Sequence, residues 1–239
     1  MRSLDYTFKE PACNLALDEV LLRQADSDDC GEVLRFWESA KPFVVLGLSQ
    51  RISQEVELER CKDLGVPIQR RCSAGGCVVQ GPGCLNFTLI LSKEARPEIE
   101  SIRGSYDYIL GRIIESLKIP QLRKAGISDL ALGNLKVSGN AQRRHKNHIL
   151  HHGTLLYGAD IPLFSSFIRE PRDRPGYRGN RTHDIFITNL ALSRETLVNA
   201  VANAFMTDSN STQPGSELIE ESRRLAEDKY KQDSWIYRK

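Results

Sequence analysis

No apolar run in the chain approaches the roughly 20 residues a helix needs to cross a bilayer. The N-terminal stretch MRSLDYTFKE also lacks the apolar core of a secretory signal. These two absences argue against a membrane-spanning or exported protein and predict a cytoplasmic one. Cysteine is neither paired nor regularly spaced. The six residues stand at 13, 30, 61, 72, 77 and 84 with no C-x-x-C among them, which argues against a disulfide framework and a structural zinc site and predicts free thiols. Net charge is nearly absent too: a formal +2 is too small for a general coat that grips nucleic acid or membrane, though it permits local patches. The common phosphate signatures are missing, since no turn ends in G-K-[ST] and no G-x-G-x-x-G occurs. No internal repeat is visible.

What is present is a chain of 239 residues, 40% hydrophobic and 27% charged, enough for one large core. NLALDEVLLRQ reads as a helix capped by Asn14, with Leu17, Val20 and Leu21 on its buried face. EVLRFWE and PFVVLGLSQ are rich in β-branched and aromatic residues and read as a pair of strands joined at Ser39-Ala40-Lys41. QEVELERCKDLG is a helix ended by Gly65, followed by strands VPIQRRC and CLNFTLILS. The longest helix follows, with Ile102, Tyr106, Ile109, Ile113 and Leu117 along one stripe. ISDLAL, NLKVSGNAQRR and HILHHGTLLYG form a meander that turns at Gly133-Asn134 and Lys146-Asn147. Residues 169–183, REPRDRPGYRGNRTH, are too long and charged for a simple connection. Helices SRETLVNAVANAF and SELIEESRRLAEDKY close the chain across the joint MTDSNSTQPG. Strand runs broken by isolated helices predict an α+β domain on a mostly antiparallel sheet, not a Rossmann fold.

Two stretches carry chemistry. In RRCSAGGCVV, Arg70 and Arg71 run into a turn holding Ser73, Ala74, Gly75 and Gly76, with Val78 beyond it. Glycines let backbone approach a ligand and present N–H groups to an anion, and arginine adds bidentate recognition of carboxylate or phosphate. A hairpin turn with solvated arginines would look the same. In NLKVSGNAQRR, Lys136 is followed by Ser138, Gly139 and Ala141, small residues that leave room beside an ammonium. His152-Gly153-Thr154 comes next. Four of the five histidines lie between His145 and His152, but His151 and His152 point to opposite faces of a strand and no cysteine or acid stands close by, so a metal site is not expected.

With these residues in view, the sequence resembles the lipoate-protein ligase A family, within the wider superfamily of biotin and lipoate ligases and octanoyltransferases. The resemblance rests on five blocks in order: NLALDEVLL, LRFWESAKPFVVLGLSQ, RRCSAGGCVVQGPGCLNFT, SDLALGNLKVSGNAQRR and HHGTLLY. It implies a catalytic domain spanning 1–239, related in fold to biotin ligases and class II synthetases and without the small C-terminal accessory domain of full-length ligases. It also implies transfer of lipoate, activated by ATP with Mg²⁺ as lipoyl-AMP, to a lysine of a lipoyl carrier domain. Such a partner is an E2 subunit, the glycine cleavage H protein or a similar acidic protein, and activation of the free acid would fall to a separate accessory protein or lie outside this chain's task. By matching motif Lys136 is the catalytic lysine. Arg70, Arg71, Ser73, Ala74, Gly75, Gly76 and Val78 lie over the acyl group and nucleotide, with Asn86 and Asp129 at matching positions and Ser138, Gly139, Ala141, His152, Gly153 and Thr154 lining the same site. Pro42, Val44, Val78 and Leu85 are candidate walls for the acyl tail.

The sequence departs from the family pattern at Ala74, which replaces the first glycine of a triplet, and at Gln80, where many members have histidine. A left-handed backbone at Ala74 would cost about 1–2 kcal/mol. The nearest rival activity is octanoyl transfer from acyl carrier protein through a cysteine thioester without ATP. No cysteine follows Cys84, so only Cys72, Cys77 or Cys84 is available for it, and the ligase is the preferred reading. A biotin ligase would carry a Gly-Arg-Gly-Arg-type loop in place of RRCSAGG. A non-catalytic module gripping RNA or an acidic partner with RRHK and RDRPGYRGNR is a third reading. Those runs offer only Tyr177 for base stacking, so nucleic acid is disfavoured.

Overall fold

In the computed structural model, which describes residues 1–27, 31–206 and 212–238, the chain runs β1 (Arg2–Asp5), α1 (Pro11–Asp26), β2 (Val33–Trp37), β3 (Phe43–Leu46), α2 (Ile52–Glu55), α3 (Leu58–Asp63), β4 (Ile68–Arg70), β5 (Val78–Gln80), β6 (Cys84–Ser92), α4 (Ile102–Leu117), β7 (Leu122–Ala125), β8 (Asp129–Leu132), β9 (Leu135–Arg144), β10 (His148–Leu156), α5 (Ile161–Ser165), α6 (His183–Phe186), α7 (Arg194–Ala204), α8 (Ser216–Leu225) and α9 (Asp233–Ile236). Cys30 and part of the 206–215 joint lie outside the described residues. Seven strands form the main sheet in the order β1-β2-β6-β10-β9-β8-β7, antiparallel but for the β1-β2 pair. The expected α+β architecture on a mostly antiparallel sheet is what the chain adopts. No helix among the described residues is long and apolar enough to cross a membrane.

The strands β2 and β3, expected to pair with each other, part company. β2 lies against β6 in the main sheet, whereas β3 sits between β4 and β5 in a second sheet of three strands. Both are buried along their whole length, so their apolar character reports burial and not a shared hairpin. Asn14 is not a cap. Pro11 opens α1 with Glu10 at the cap position, a use of proline's fixed φ. Asn14 sits a turn further in, where its amide accepts from the Phe8 N–H and donates to the Phe8 carbonyl, both at 2.9 Å. In α4, Tyr106, Ile109 and Ile113 are buried as the stripe predicts, while Ile102, next to the capping Ser101, is 60% exposed.

Two apolar layers sandwich the main sheet. On one face α4 and α7 pack against Leu34, Phe36, Leu85, Phe87, Leu89, Ile149 and Leu155. On the other, α1 and α8 pack against Val33, Trp37, Ile90 and Leu150. The second face is not apolar throughout. At alternate positions of the central strands it carries Arg35, Asn86, Thr88, His152 and Thr154, and that interruption locates the candidate site.

Candidate active site

Strand register gathers these polar residues into two rows across the sheet. One runs Arg35, Thr88, His152, Ala141; the other runs Trp37, Asn86, Thr154, Gly139, Asp129. Every member of the second row lines a cleft of about 170 Å³, together with Leu15, Asp18, Val45, Arg71, Gly75, Gly76, Val78, His152 and Lys136. A wider, mostly apolar pocket of about 540 Å³ adjoins it and shares Gly76, Cys77, Val78, Gln80, Asp129, Lys136, Gly139 and Thr154. Its outer wall includes Ile161, Phe164, Ile168 and part of the 169–183 segment.

Lys136 reaches the cleft because β9 carries a bulge. Val137 and Gly139 would share a face in a regular strand, yet Val137 is buried in the α4 core while Gly139 faces the cleft with Lys136. The register shift between Leu130 and Ala131 supplies the extra residue that turns Lys136 over. Its Nζ sits 2.8 Å from Asp129 Oδ1. Gly139 makes the room: a Cβ there would lie 3.0 Å from that Nζ.

The arginine doublet divides. Neighbours on a strand point to opposite faces, and only Arg71 faces the cleft. Arg70 is fully buried on the other side, donating to the carbonyls of Gly47, Leu48, Gln50, Trp235 and Ile236 at 2.8–3.1 Å. It ties the C-terminal α9 to the loop after β3 and lines neither cavity. Arg71 instead winds the following turn around itself, donating to Ser73 Oγ at 3.0 Å and to the carbonyls of Ala74 and Gly76 at 2.8 and 2.9 Å. Burial lowers its guanidinium to about 10, still cationic at neutral pH. Ala74 is exposed and lines neither cavity; the positive φ of the turn, +97°, falls on Gly75. The departure at Ala74 therefore brings none of the expected strain.

Gly47 seats this turn. A Cβ on Gly47 would stand 1.9 Å from the Gly75 carbonyl oxygen, a clash between backbones. Gly47→Ala is expected to cost about 1–3 kcal/mol in urea unfolding, whereas Gly76→Ala, where a Cβ meets nothing within 4 Å, should stay within about 0.5 kcal/mol.

Ser73, His152 and Asp18 line up in a way that resembles a nucleophile, base and orienter. His152 Nε2 is 2.6 Å from Ser73 Oγ, and its Nδ1 is 3.5 Å from Asp18 Oδ2. Ser73 is wholly buried and lines neither cavity, so its hydroxyl holds the loop and attacks nothing. Burial lowers the pKa of His152. Asp18 feels burial as its largest influence, upward, but the charge of Arg35 and the hydrogen bond from His152 outweigh it and leave the carboxyl below its ordinary value. His151 points the other way, stacked on Phe87, and burial pushes it down to about 3.

Ser138 also belongs to the α4 face, accepting from Asn140 Nδ2 at 3.1 Å, and lines neither cavity. Of the proposed wall residues Val78 lines both cavities, but Val44 and Leu85 are in the cores and the cleft takes their neighbours Val45 and Asn86; Pro42 lines neither cavity. Gln80, in place of a histidine, donates to Thr154 Oγ1 at 2.7 Å, and that hydroxyl donates to Asn86 Oδ1 at 2.9 Å. Leu15, Asp18, Trp37 and Val45 are site residues the sequence reading missed. Only the strand register and the packing of α1 bring them in. The basic runs are largely occupied: Arg144 donates to the Ile99 and Glu100 carbonyls, Arg178 pairs with Glu170, and Arg181 donates to the carbonyls of Asn134 and Tyr177.

A family profile described as the lipoyl protein ligase A/B catalytic domain matches residues 10–208. The chain belongs to that family. Among lipoyl ligase A/B proteins it is 26% identical to octanoyltransferase LipM of Staphylococcus epidermidis, over 97% of this chain and 96% of that protein. It is 23% identical to lipoate-protein ligase LplJ of Bacillus subtilis, over 95% and 70%. It is 32% identical to human mitochondrial lipoyl amidotransferase LIPT1 over 72% of this chain, which matches 47% of the human protein. The crystal structure of lipoate-protein ligase A bound with ATP superimposes with a TM-score of 0.83 at 23% identity, covering 99% of this chain and 98% of that one. The bi-partite lipoate protein ligase of Thermoplasma acidophilum, described with its E2 lipoyl domain, gives 0.82 at 22% over 99% and 96%. Ligases and octanoyltransferases are thus both relatives of this chain, the solved ligases share its fold, and the protein is an enzyme of that lipoate or octanoate transfer group.

Proposed function

We propose that this protein is a lipoate-protein ligase, moving a lipoyl group from lipoyl-AMP to one lysine of an acidic lipoyl carrier domain. The observation that carries this reading is the position of Lys136. It stands where the narrow cleft meets the wider pocket, paired with Asp129. A carboxylate is a poor electrophile, and linkage to AMP gives it a leaving group. Lys136 meets the negative charge that the acyl phosphate carries, in a cleft where Arg71, Asn86 and Thr154 already hold partners within the protein. The chain of an eight-carbon acyl group contributes about 0.8 kcal/mol per buried CH₂, so about 5 kcal/mol of binding needs no charged contact. Asp129 and Asp18 are already paired within the protein, so Mg²⁺ accompanying ATP would be held chiefly by phosphate oxygens. The relative crystallised with ATP supports the nucleotide, and a Thermoplasma acidophilum protein of the same fold with bound lipoic acid supports the acyl group.

The transferase alternative needs a cysteine. Cys77 is the one described cysteine that lines the cavities, and burial pushes its thiol up to about 12, which disfavours the thiolate such a mechanism uses. A lipoyl domain would be incubated with lipoyl-AMP, with lipoate plus ATP, or with octanoyl carrier protein alone, and weighed by mass spectrometry. The expected result is a lipoyl mass increment in the first mixture, kept within about threefold in the near-isosteric Cys77→Ser variant. An increment in the second mixture as well means that this chain activates the free acid; its absence there assigns activation to a separate partner. Modification only from the octanoyl carrier protein, abolished by Cys77→Ser, would make the protein a transferase.

A further inference from the structure

The 169–183 segment contains one side chain that reaches from the rim of the outer pocket to the partner of Lys136. Tyr177 donates its hydroxyl to Asp129 Oδ2 at 2.8 Å, while Lys136 holds Oδ1 of the same carboxylate, also at 2.8 Å. Each oxygen has its own donor. The Tyr177 ring is fixed independently, 5.1 Å from the Phe186 ring and under the Arg123 guanidinium at 5.8 Å. Arg181 clamps the Tyr177 carbonyl at 2.6 Å and the Asn134 carbonyl, in the β8-β9 turn, at 2.9 Å. Around Tyr177, Pro171, Asp173, Pro175, Gly176 and Arg178 form part of the outer pocket's wall.

We infer that Tyr177 is a positioning residue for Lys136, a latch by which the 169–183 segment, when seated on the outer pocket, sets how tightly Asp129 holds the lysine. A carboxylate that spends one oxygen on a phenol turns a single oxygen to the ammonium, leaving the other ammonium hydrogens for a ligand anion. Without the phenol, the freed oxygen competes for the same ammonium and draws it from the cleft. The segment loses its one hydrogen bond to this carboxylate at the same time. This inference rests on the ligase reading for its assay, but the geometry of the latch does not.

Tyr177→Phe removes only the hydroxyl and keeps the ring packing. With lipoyl-AMP as donor and a lipoyl domain as acceptor, kcat/KM for lipoyl-AMP is expected to fall about tenfold or more, the scale of a hydrogen bond to a charged group, with KM for the lipoyl domain unmoved. Asparagine at 129 has one acceptor oxygen for two donors, so Asp129→Asn already breaks the arrangement. In that background Tyr177→Phe should cost less than about twofold, the signature of residues acting as a unit. Trypsin should also cut the ligand-free Tyr177→Phe protein faster than wild type after the exposed Arg169 or Arg172. Turnover within twofold of wild type, penalties that multiply in the double variant, or unchanged proteolysis would each overturn the latch. A wild-type protein that modifies no carrier from lipoyl-AMP would instead overturn the ligase reading, and the proteolysis comparison would still decide the latch.

Discussion

Lys136→Ala is expected to reduce carrier acylation by at least about 10²-fold, the scale of losing one preorganised charge at the reacting group, while the protein stays folded. The two halves of this expectation come from different observations. The loss of activity follows from the bulge in β9, which gives up a regular pairing to face one lysine into a cleft whose arginine, Arg71, is committed to the carbonyls of its own turn. The retained fold follows from exposure. The Lys136 side chain is 26% exposed and that of Asp129 10%, and the carboxylate keeps the Tyr177 hydroxyl when the ammonium is gone, so losing this partly exposed pair should cost about 1 kcal/mol. Its backbone contribution, the carbonyl that accepts from the Thr188 N–H at 2.9 Å, survives the substitution. The melting temperature should therefore drop by no more than about 2–4 °C. Lys136→Arg should recover little, because the space over Gly139 fits an ammonium at 3.0 Å from the would-be Cβ and a planar guanidinium is bulkier. Acylation by Lys136→Ala at the wild-type rate, followed by the mass of the lipoyl domain, would remove Lys136 from the chemistry.

Much of this site was legible before any coordinates, and the missing parts share one cause. Local pattern singled out Arg71, Gly75, Val78, Lys136, Gly139, Ala141 and His152-Gly153-Thr154, which all line one cleft, because small residues beside a lone cation leave a mark in sequence. Facing was harder. Arg70 closes β4 and Arg71 continues its extended chain, so the two must diverge, and reading both toward one ligand ignored the period of two. Ser138 would share the face of Lys136 by the same period, and there the rule fails, because a bulge between them reverses it. Val44 and Leu85 were each one residue out of phase with the cleft, where Val45 and Asn86 stand. The family comparison corrects none of these, since it speaks of matching positions and not of which way a side chain points. Fold class was easier, because strand-rich segments without βαβ alternation leave few architectures. The separation of β2 from β3 into two sheets was hidden, because each strand is buried on both faces and advertises no partner.

The largest stability effect is expected at a pair the sequence did not mark at all. Arg35 and Asp18 are almost wholly buried, joined at 2.5 Å. Arg35 also donates to the Asn14 carbonyl, to Asn14 Oδ1 and to the Tyr6 carbonyl, and Thr88 donates to Asp18. Arg35→Met should destabilise by about 3–5 kcal/mol, because it strands a buried carboxylate, and that is a large share of the roughly 5–15 kcal/mol a domain has. The sign of the pH dependence separates this cause from simple loss of packing. In the wild type the Asp18 carboxyl lies below its ordinary value of 3.8. Its contribution is therefore complete above about pH 4 and is lost as the pH falls through the lower folded value. In Arg35→Met the guanidinium is gone and burial, which pushes the carboxyl upward, prevails. The variant's Asp18 can then take up a proton at mildly acidic pH, or share one with His152 at 3.5 Å, so the difference in stability between the two proteins should shrink between pH 7 and pH 5. Urea unfolding at both values measures it. Adding Asp18→Leu to Arg35→Met should restore most of the loss, since replacing both members of a buried pair by apolar groups is close to neutral; a double variant no more stable than Arg35→Met would mean that the Asn14 and Tyr6 contacts, and not the stranded charge, set the cost.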